Sequence, residues 1–256
     1  MTSTDSPADE VGLPLTGERT VPGVWHENYW FRRHEAAYAH ACDLARGRVL
    51  EVGCGEGYGT AMLAAGGASR VLGVDYDATA VAHAARRYTG ADFVRANLAA
   101  LPVRSAAFDV VATLQVIEHV WNHAEFVGEC RRVLRPGGTL FVTTPNRLTF
   151  SPGLDAPVNP FHTHEFTADE LVALLRGAGF AVERVAGLHA GPRLTALDAT
   201  HGGSFVDAQL AAPPAAWDRS LRTDVESVTT SDFEAADAAT RDVDRSLDLV
   251  VVARAD

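Results

Sequence analysis

The chain of 256 residues contains no lysine. All 22 of its cationic side chains are arginine, set against 33 Asp and Glu for a formal charge of −11. Schiff-base and lysine-nucleophile chemistry is therefore excluded, and an acidic chain has no general means of displacing counterions from nucleic acid. Cysteine is also scarce: Cys42, Cys54 and Cys130 lie far apart with no CxxC pair. That usage fits reduced structural thiols and a cytoplasmic setting. No apolar run reaches the ~20 residues that span a bilayer. The opening "MTSTDSPADEVG" has neither the basic region nor the apolar core of a secretion signal and reads as a flexible tail.

What is present is an alternation. "RVLEVG" (48–53), "RVLGVD" (70–75), "ADFVRAN" (91–97), "FDVVATLQ" (108–115), "TLFVTTP" (139–145), "FAVERVAG" (180–187) and "SLDLVVVAR" (246–254) read as strands. Helical patterns fill 57–66, 78–88, 122–135 and 168–178, and a further one lies within 25–45. Strand–helix alternation predicts an α/β, Rossmann-like, doubly wound sheet of seven mostly parallel strands. The expected organisation is a tail over 1–20 and one domain over 21–256. Within that domain stand an N-terminal helical segment (21–47), a core (48–187), an inserted cap (188–245) expected near the site mouth, and a last strand (246–256).

"VLEVGCGEGYGT" (49–60) follows a strand and opens a helix, so glycines 53, 55, 57 and 59 suit a tight turn with a ligand against the backbone. Dinucleotide, flavin and adenosyl binders share that turn. Glu51 and Glu56 disfavour a pyrophosphate there but not a cationic amino-acid tail or a sulfonium. With "VLGVDYD", "RANLAALP", "FDVVATLQVIEHV" and "ECRRVLRPGGTLFVTTPN", the chain resembles the class I S-adenosylmethionine-dependent methyltransferases over most of 45–190. The resemblance implies an antiparallel last strand and S-adenosylmethionine as cofactor. It implies cofactor contacts from Glu51, Gly53, Gly55, Gly57, Asp75, Tyr76, Asn97, Leu98 and Gln115. Asp75 is expected on the ribose hydroxyls, and Asn97 stands where an aspartate is usual. A nicotinamide-dependent enzyme and a non-catalytic adenosyl or sugar binder are the alternatives.

The Asn/Asp-Pro-Pro-Tyr/Phe motif of amino-directed nucleic-acid methylation is absent; "QVIEHV" occupies its place. A narrower resemblance, carried by "LTGERTVPG", "ENYWFRRHEAAY", "TPNRLTFSPG", "NPFHTHEF" and "HGGSFVDAQL", is to an actinobacterial group associated with the methylglucose lipopolysaccharides of mycobacteria. It implies O-methylation of a glucose unit in a sugar or short glucan. A natural-product N- or O-methyltransferase is the nearer rival, and a homodimer is left open.

On the acceptor side, Tyr29, Trp30, Arg32, Arg33, Glu118 and Asn146 are candidate substrate contacts. Packing of the helix against the sheet is the competing reading for most of the aromatics of segment 25–31. His119, His162 and His164 are candidate general bases. Within "VNPFHTHEFT" (158–167), Thr167 and Glu170 have the spacing of a capping box, with Phe166 as a staple. His162, His164 and Glu165, completed by His201 or Asp207, would form a divalent-metal set, which is not favoured.

Overall fold

The computed structural model describes Leu13 and residues 18–256. Most of the expected tail, 1–12 and 14–17, lies outside the described residues. Helix α1 (Asn28–Leu44) precedes β1 (Arg48–Val52), α2 (Tyr58–Ala65), β2 (Arg70–Asp75), α3 (Ala78–Arg87), β3 (Asp92–Arg95) and β4 (Phe108–Leu114). Then come α4 (His123–Val133), β5 (Leu134–Pro145), a single turn α5 (Arg147–Phe150), α6 (Ala168–Gly177) and β6 (Phe180–Ala190). The chain ends through α7 (Pro192–Thr200), α8 (Phe205–Leu210), α9 (Arg219–Ser227), β7 (Phe233–Asp237) and β8 (Asp248–Ala255).

The strands form one sheet in the order β3-β2-β1-β4-β5-β8-β6-β7. Pairings from β3 to β5 are parallel, and those of β8 with β5 and β6 are antiparallel. The central strands read as near-continuous Val, Leu and Ala because helices cover both faces. One core packs Leu50, Val111, Phe126, Leu140 and Leu171 on one face; the other packs Val49, Leu63, Phe141 and Val252 on the opposite face. Strand order reverses between β1 and β4, which opens a crevice at their carboxyl ends.

Eight strands stand where seven were expected. The addition is β7, whose sequence "FEAAD" is short, Ala-rich and acid-flanked, a poor strand former by composition. It is a strand because it pairs along β6, from Ala190↔Phe233 to Ala186↔Asp237. The rest of the insertion departs from the cap expectation: Phe205, Leu221, Val225 and Phe233 share a core with Tyr29 of α1. Of this segment only Leu210 lines a cavity described below. No helix among the described residues is long and apolar enough to cross a membrane.

Candidate active site

The glycine turn after β1 is held onto β2 by Gly53 and Cys54, whose N–H groups donate to the Val74 carbonyl at 2.8 and 2.9 Å. Gly53 (φ +83°) and Gly57 (φ +100°) are left-handed; a Cβ would stand 2.4 Å from Val116 and 2.6 Å from Ala84. Above the turn opens a cavity of about 500 Å³, lined by Gly53, Gly55, Asp75, Tyr76, Leu98 and Gln115 among others. Asp75, at the end of β2, accepts from Gly55 N on Oδ2 (2.8 Å) and from Asp77 N on Oδ1 (2.9 Å). A carboxylate offers about four lone-pair sites, so two remain for a diol. Tyr76 is 60% exposed as one wall.

Three expected cofactor residues sit outside this lining: Gly57, whose open side faces Ala84 and Tyr88, and Glu51 and Asn97. Glu51 is fully buried behind the turn, where its carboxylate accepts from the hydroxyls of Tyr38 (α1) and Thr60 (α2). Burial pushes it up to about 7, against the pull of those two hydroxyls. Asn97 is exposed and bends back to accept from Ala99 N at 3.0 Å, which leaves Leu98 to face the cavity. Glu56 also turns inward: Oε1 meets His83 Nε2 at 2.8 Å and Oε2 accepts from Tyr88 at 2.7 Å.

Gln115, at the end of β4, has φ +56°, a conformation a non-glycine residue holds only when its surroundings enforce it. Its backbone N–H and side-chain amide both donate to Thr143, at 3.0 and 3.2 Å. Gln115 borders the first cavity and a second of about 380 Å³ lined by Glu27, Trp30, Phe150, Glu118, Asn159 and Leu210 among others. His34, His119 and His162 stand at the junction of the two.

A 3₁₀ turn, Ile117–His119, drives Glu118 into the protein and leaves His119 facing the junction. His119 Nδ1 lies 3.0 Å from the Phe161 carbonyl. A carbonyl only accepts, so Nδ1 carries the hydrogen and Nε2 of the neutral ring is free. Burial lowers this histidine, with His162 adding to the effect and the Phe161 carbonyl opposing it. The rings of His119 and His162 stand 4.8 Å apart at 81°. His162 Nδ1 donates to Glu165 Oε1 at 2.7 Å, and Asn159 Nδ2 lies 3.1 Å from Nε2. Glu118 Oε2 accepts from the Thr144 hydroxyl at 2.9 Å; burial pushes this carboxyl up to about 8.

Other candidates serve the scaffold. Tyr29 is buried against Phe205 and Phe233, outside both cavities. Arg32 pairs on the surface with Glu35 at 2.7 Å. Arg33 borders the second cavity, but its guanidinium is spent on both oxygens of buried Asp248 and on the Leu247 carbonyl. Asn146, fully buried, donates to the carbonyls of Val243, Asp244 and Ser246 and caps α5 through Leu148 N. His164 turns away onto Phe166, with ring centroids 4.6 Å apart, and borders a separate depression with Arg147 and Asp155. Of the sequence-derived metal set, His162 and Glu165 are therefore together and His164 is apart; His201 pairs with Asp224 instead. The capping box at Thr167 and Glu170 is present.

Two contributions escaped the sequence. His34 lines the second cavity beside Trp30, already a candidate from the sequence, and Glu27 just before α1, a spacing of 27, 30 and 34 that was available as a signal. Burial lowers His34 to about 4. Glu18, Arg19 and Thr20, inside the expected tail, line both cavities; Arg19 reaches Asp77 at 2.6 Å and Thr20 meets Tyr58 at 3.0 Å. No local pattern marks that crossing.

Comparison with known proteins gives the family. Residues 50–142 match the family described as "Methyltransferase domain". A probable S-adenosylmethionine-dependent methyltransferase of Mycolicibacterium smegmatis is 56% identical over 94% of this chain and 95% of its own length. One from Mycobacterium tuberculosis strain H37Rv is 54% identical over 98% and 92%. The chain belongs to the S-adenosylmethionine-dependent methyltransferases. A ubiquinone biosynthesis O-methyltransferase of Xylella fastidiosa strain M23 is 35% identical over 60% of this methyltransferase and 70% of that protein. In fold, a methyltransferase from Mesorhizobium loti superposes with a TM-score of 0.56 at 22% identity, covering 87% and 97% of the two chains. S-adenosylmethionine suits the first cavity: left-handed Gly53 and Gly55 bring backbone to its floor, and Asp75 keeps acceptor sites that a diol needs.

Proposed function

We propose that this methyltransferase transfers the methyl group to a sugar hydroxyl, on a glucose unit of a glucan or methylglucose lipopolysaccharide precursor. The observation that carries this reading is the second cavity. It joins the cofactor cavity at His119 and His162 and combines the rings of Trp30 and Phe150 with the polar groups of Glu27, Glu118 and Asn159. A pyranose ring needs that combination of apolar plates and hydrogen-bonding groups. The name of the Xylella relative supports oxygen as the atom methylated. The two mycobacterial relatives, similar over nearly their whole length, support the narrower group. A cytoplasmic setting accompanies the proposal, with Cys42, Cys54 and Cys130 all free thiols.

When bound, S-adenosylmethionine supplies a methyl group already activated on a sulfonium. The protein has to hold the acceptor oxygen in line and deal with its proton. In this reading His119 takes the second task, supported by the Phe161 carbonyl that fixes its tautomer and leaves Nε2 open at the junction. Incubation with labelled cofactor and a panel of gluco-oligosaccharides, followed by linkage analysis, tests the assignment. Label on a glucan hydroxyl is expected; transfer only to non-sugar acceptors would overturn it and leave the methyltransferase family untouched.

A further inference from the structure

Three side chains at the junction share a feature that proton transfer alone does not require. Glu118, His119 and His162 each offer one ligand atom, and these atoms lie within 4.8 Å of one another. The other polar atom of each is occupied. Glu118 gives Oε2 to the Thr144 hydroxyl at 2.9 Å and keeps Oε1. His119 gives Nδ1 to the Phe161 carbonyl at 3.0 Å and keeps Nε2, which lies 4.0 Å from Glu118 Oε1. His162 gives Nδ1 to Glu165 Oε1 at 2.7 Å and leaves Nε2 to the Asn159 amide at 3.1 Å. A carbonyl or carboxylate on the far nitrogen is the usual second-layer support of a metal-bound histidine, because it fixes the tautomer and raises basicity. Glu165 is itself buried, and its Oε2 has no hydrogen-bond partner.

We infer that Glu118, His119 and His162 form a divalent-cation site, of two imidazole nitrogens and one carboxylate oxygen, at the junction of the two cavities. It differs from the set suggested by sequence spacing: His164 is replaced by His119, and Glu165 supports His162 instead of binding. Two imidazoles and one carboxylate suit Mn²⁺ through Zn²⁺ rather than Ca²⁺. Ligands about 2.1 Å from one ion stand roughly 3–3.5 Å apart, so the three atoms draw together by about an ångström on binding. The Asn159 amide, now 3.1 Å from His162 Nε2, gives up that lone pair. Three protein ligands leave positions open toward both cavities. Resting on the O-methylation reading, the site takes the acceptor hydroxyl there. With the cation bound, His119 Nε2 is a ligand and takes no proton. The hydroxyl, acidified by the cation in place of that base, loses its proton to solvent, the oxygen forms its bond to the methyl carbon, and the electrons of the breaking carbon–sulfur bond return to sulfur.

The test reads binding and needs no acceptor. The chain is stripped with chelator and titrated with Mn²⁺, followed by electron paramagnetic resonance and calorimetry, with circular dichroism as a check on folding. One Mn²⁺ per chain is expected. Affinity should fall at least tenfold in Glu118→Gln, His119→Ala and His162→Ala, fall about 10- to 100-fold in Glu165→Gln, and persist in His164→Ala. No saturable binding by the intact chain, or equal affinity in folded His119→Ala and His162→Ala, would overturn the site. Binding without methylation of any glucan would keep the site and defeat the sugar assignment; methylation without binding would do the reverse.

Discussion

The two cavities are built differently. On the cofactor side, Glu51 and Glu56 are satisfied inside the protein by Tyr38, Thr60, His83 and Tyr88, so they brace the glycine turn from behind. On the acceptor side, Glu118 Oε1 and His119 Nε2 have no hydrogen-bond partner among the described residues, and His162 Nε2, within 4.8 Å of both, meets only the Asn159 amide. An ionisable group fully engaged with neighbours supports structure; one held from behind and open in front is set up to meet a ligand. The loop histidines repeat the lesson two residues apart, His162 held by Glu165 and His164 stacked outside on Phe166.

The contrast can be broken at several points. The largest expected effect is on turnover: His119→Ala should slow methyl transfer about 100- to 10,000-fold in steady-state assays. Arg33→Ala should act on stability. Its pair with Asp248 is almost wholly buried, and removing one partner should cost about 3–5 kcal/mol in denaturant melts. A large loss of acceptor binding in a protein of unchanged stability would instead return Arg33 to the substrate set. Asp75→Ala removes the carboxylate left open for the ribose and should weaken cofactor binding by about 3 kcal/mol, roughly 100-fold, in calorimetry.

A pH experiment sharpens the role of Glu51. Its carboxyl lies near 4.5 in the unfolded chain and is raised to about 7 in the folded one. Between those values the folded state holds the extra proton, so this group's stabilising contribution is present below pH ~4.5 and lost as pH rises through ~7. Glu51→Gln should flatten the corresponding decline in melting temperature across that window. The smallest effect is expected for His164→Ala, within about 0.5 kcal/mol in stability and with turnover nearly unchanged.

The cofactor half was legible because each part lies within one strand–turn–helix unit. The turn from Gly53 to Gly57, Asp75 at a strand end and Gln115 at the next all follow from local order plus the rule that ligands bind at carboxyl ends. Even there, sequence could not say that Glu51 faces inward or that Asn97 folds back on Ala99, since both depend on the neighbour each finds. The acceptor half draws on residues 18–34, 115–119, 150–162 and Leu210, segments joined only by the completed fold. His119 was found because it follows a strand end, and His162 because it stands in a conspicuous loop; that they meet is tertiary. Strand β7 was missed for the same reason, its order coming from β6 and not from its own residues.

The most direct test of the division between the halves is cofactor affinity measured side by side in His119→Ala and Asp75→Ala. The arrangement predicts that His119→Ala binds S-adenosylmethionine within a few-fold of the parent chain while failing in turnover, and that Asp75→Ala loses roughly 100-fold in affinity. Equal weakening in both variants would contradict it, showing that His119 belongs to the cofactor site and that donor and acceptor sides are not separate.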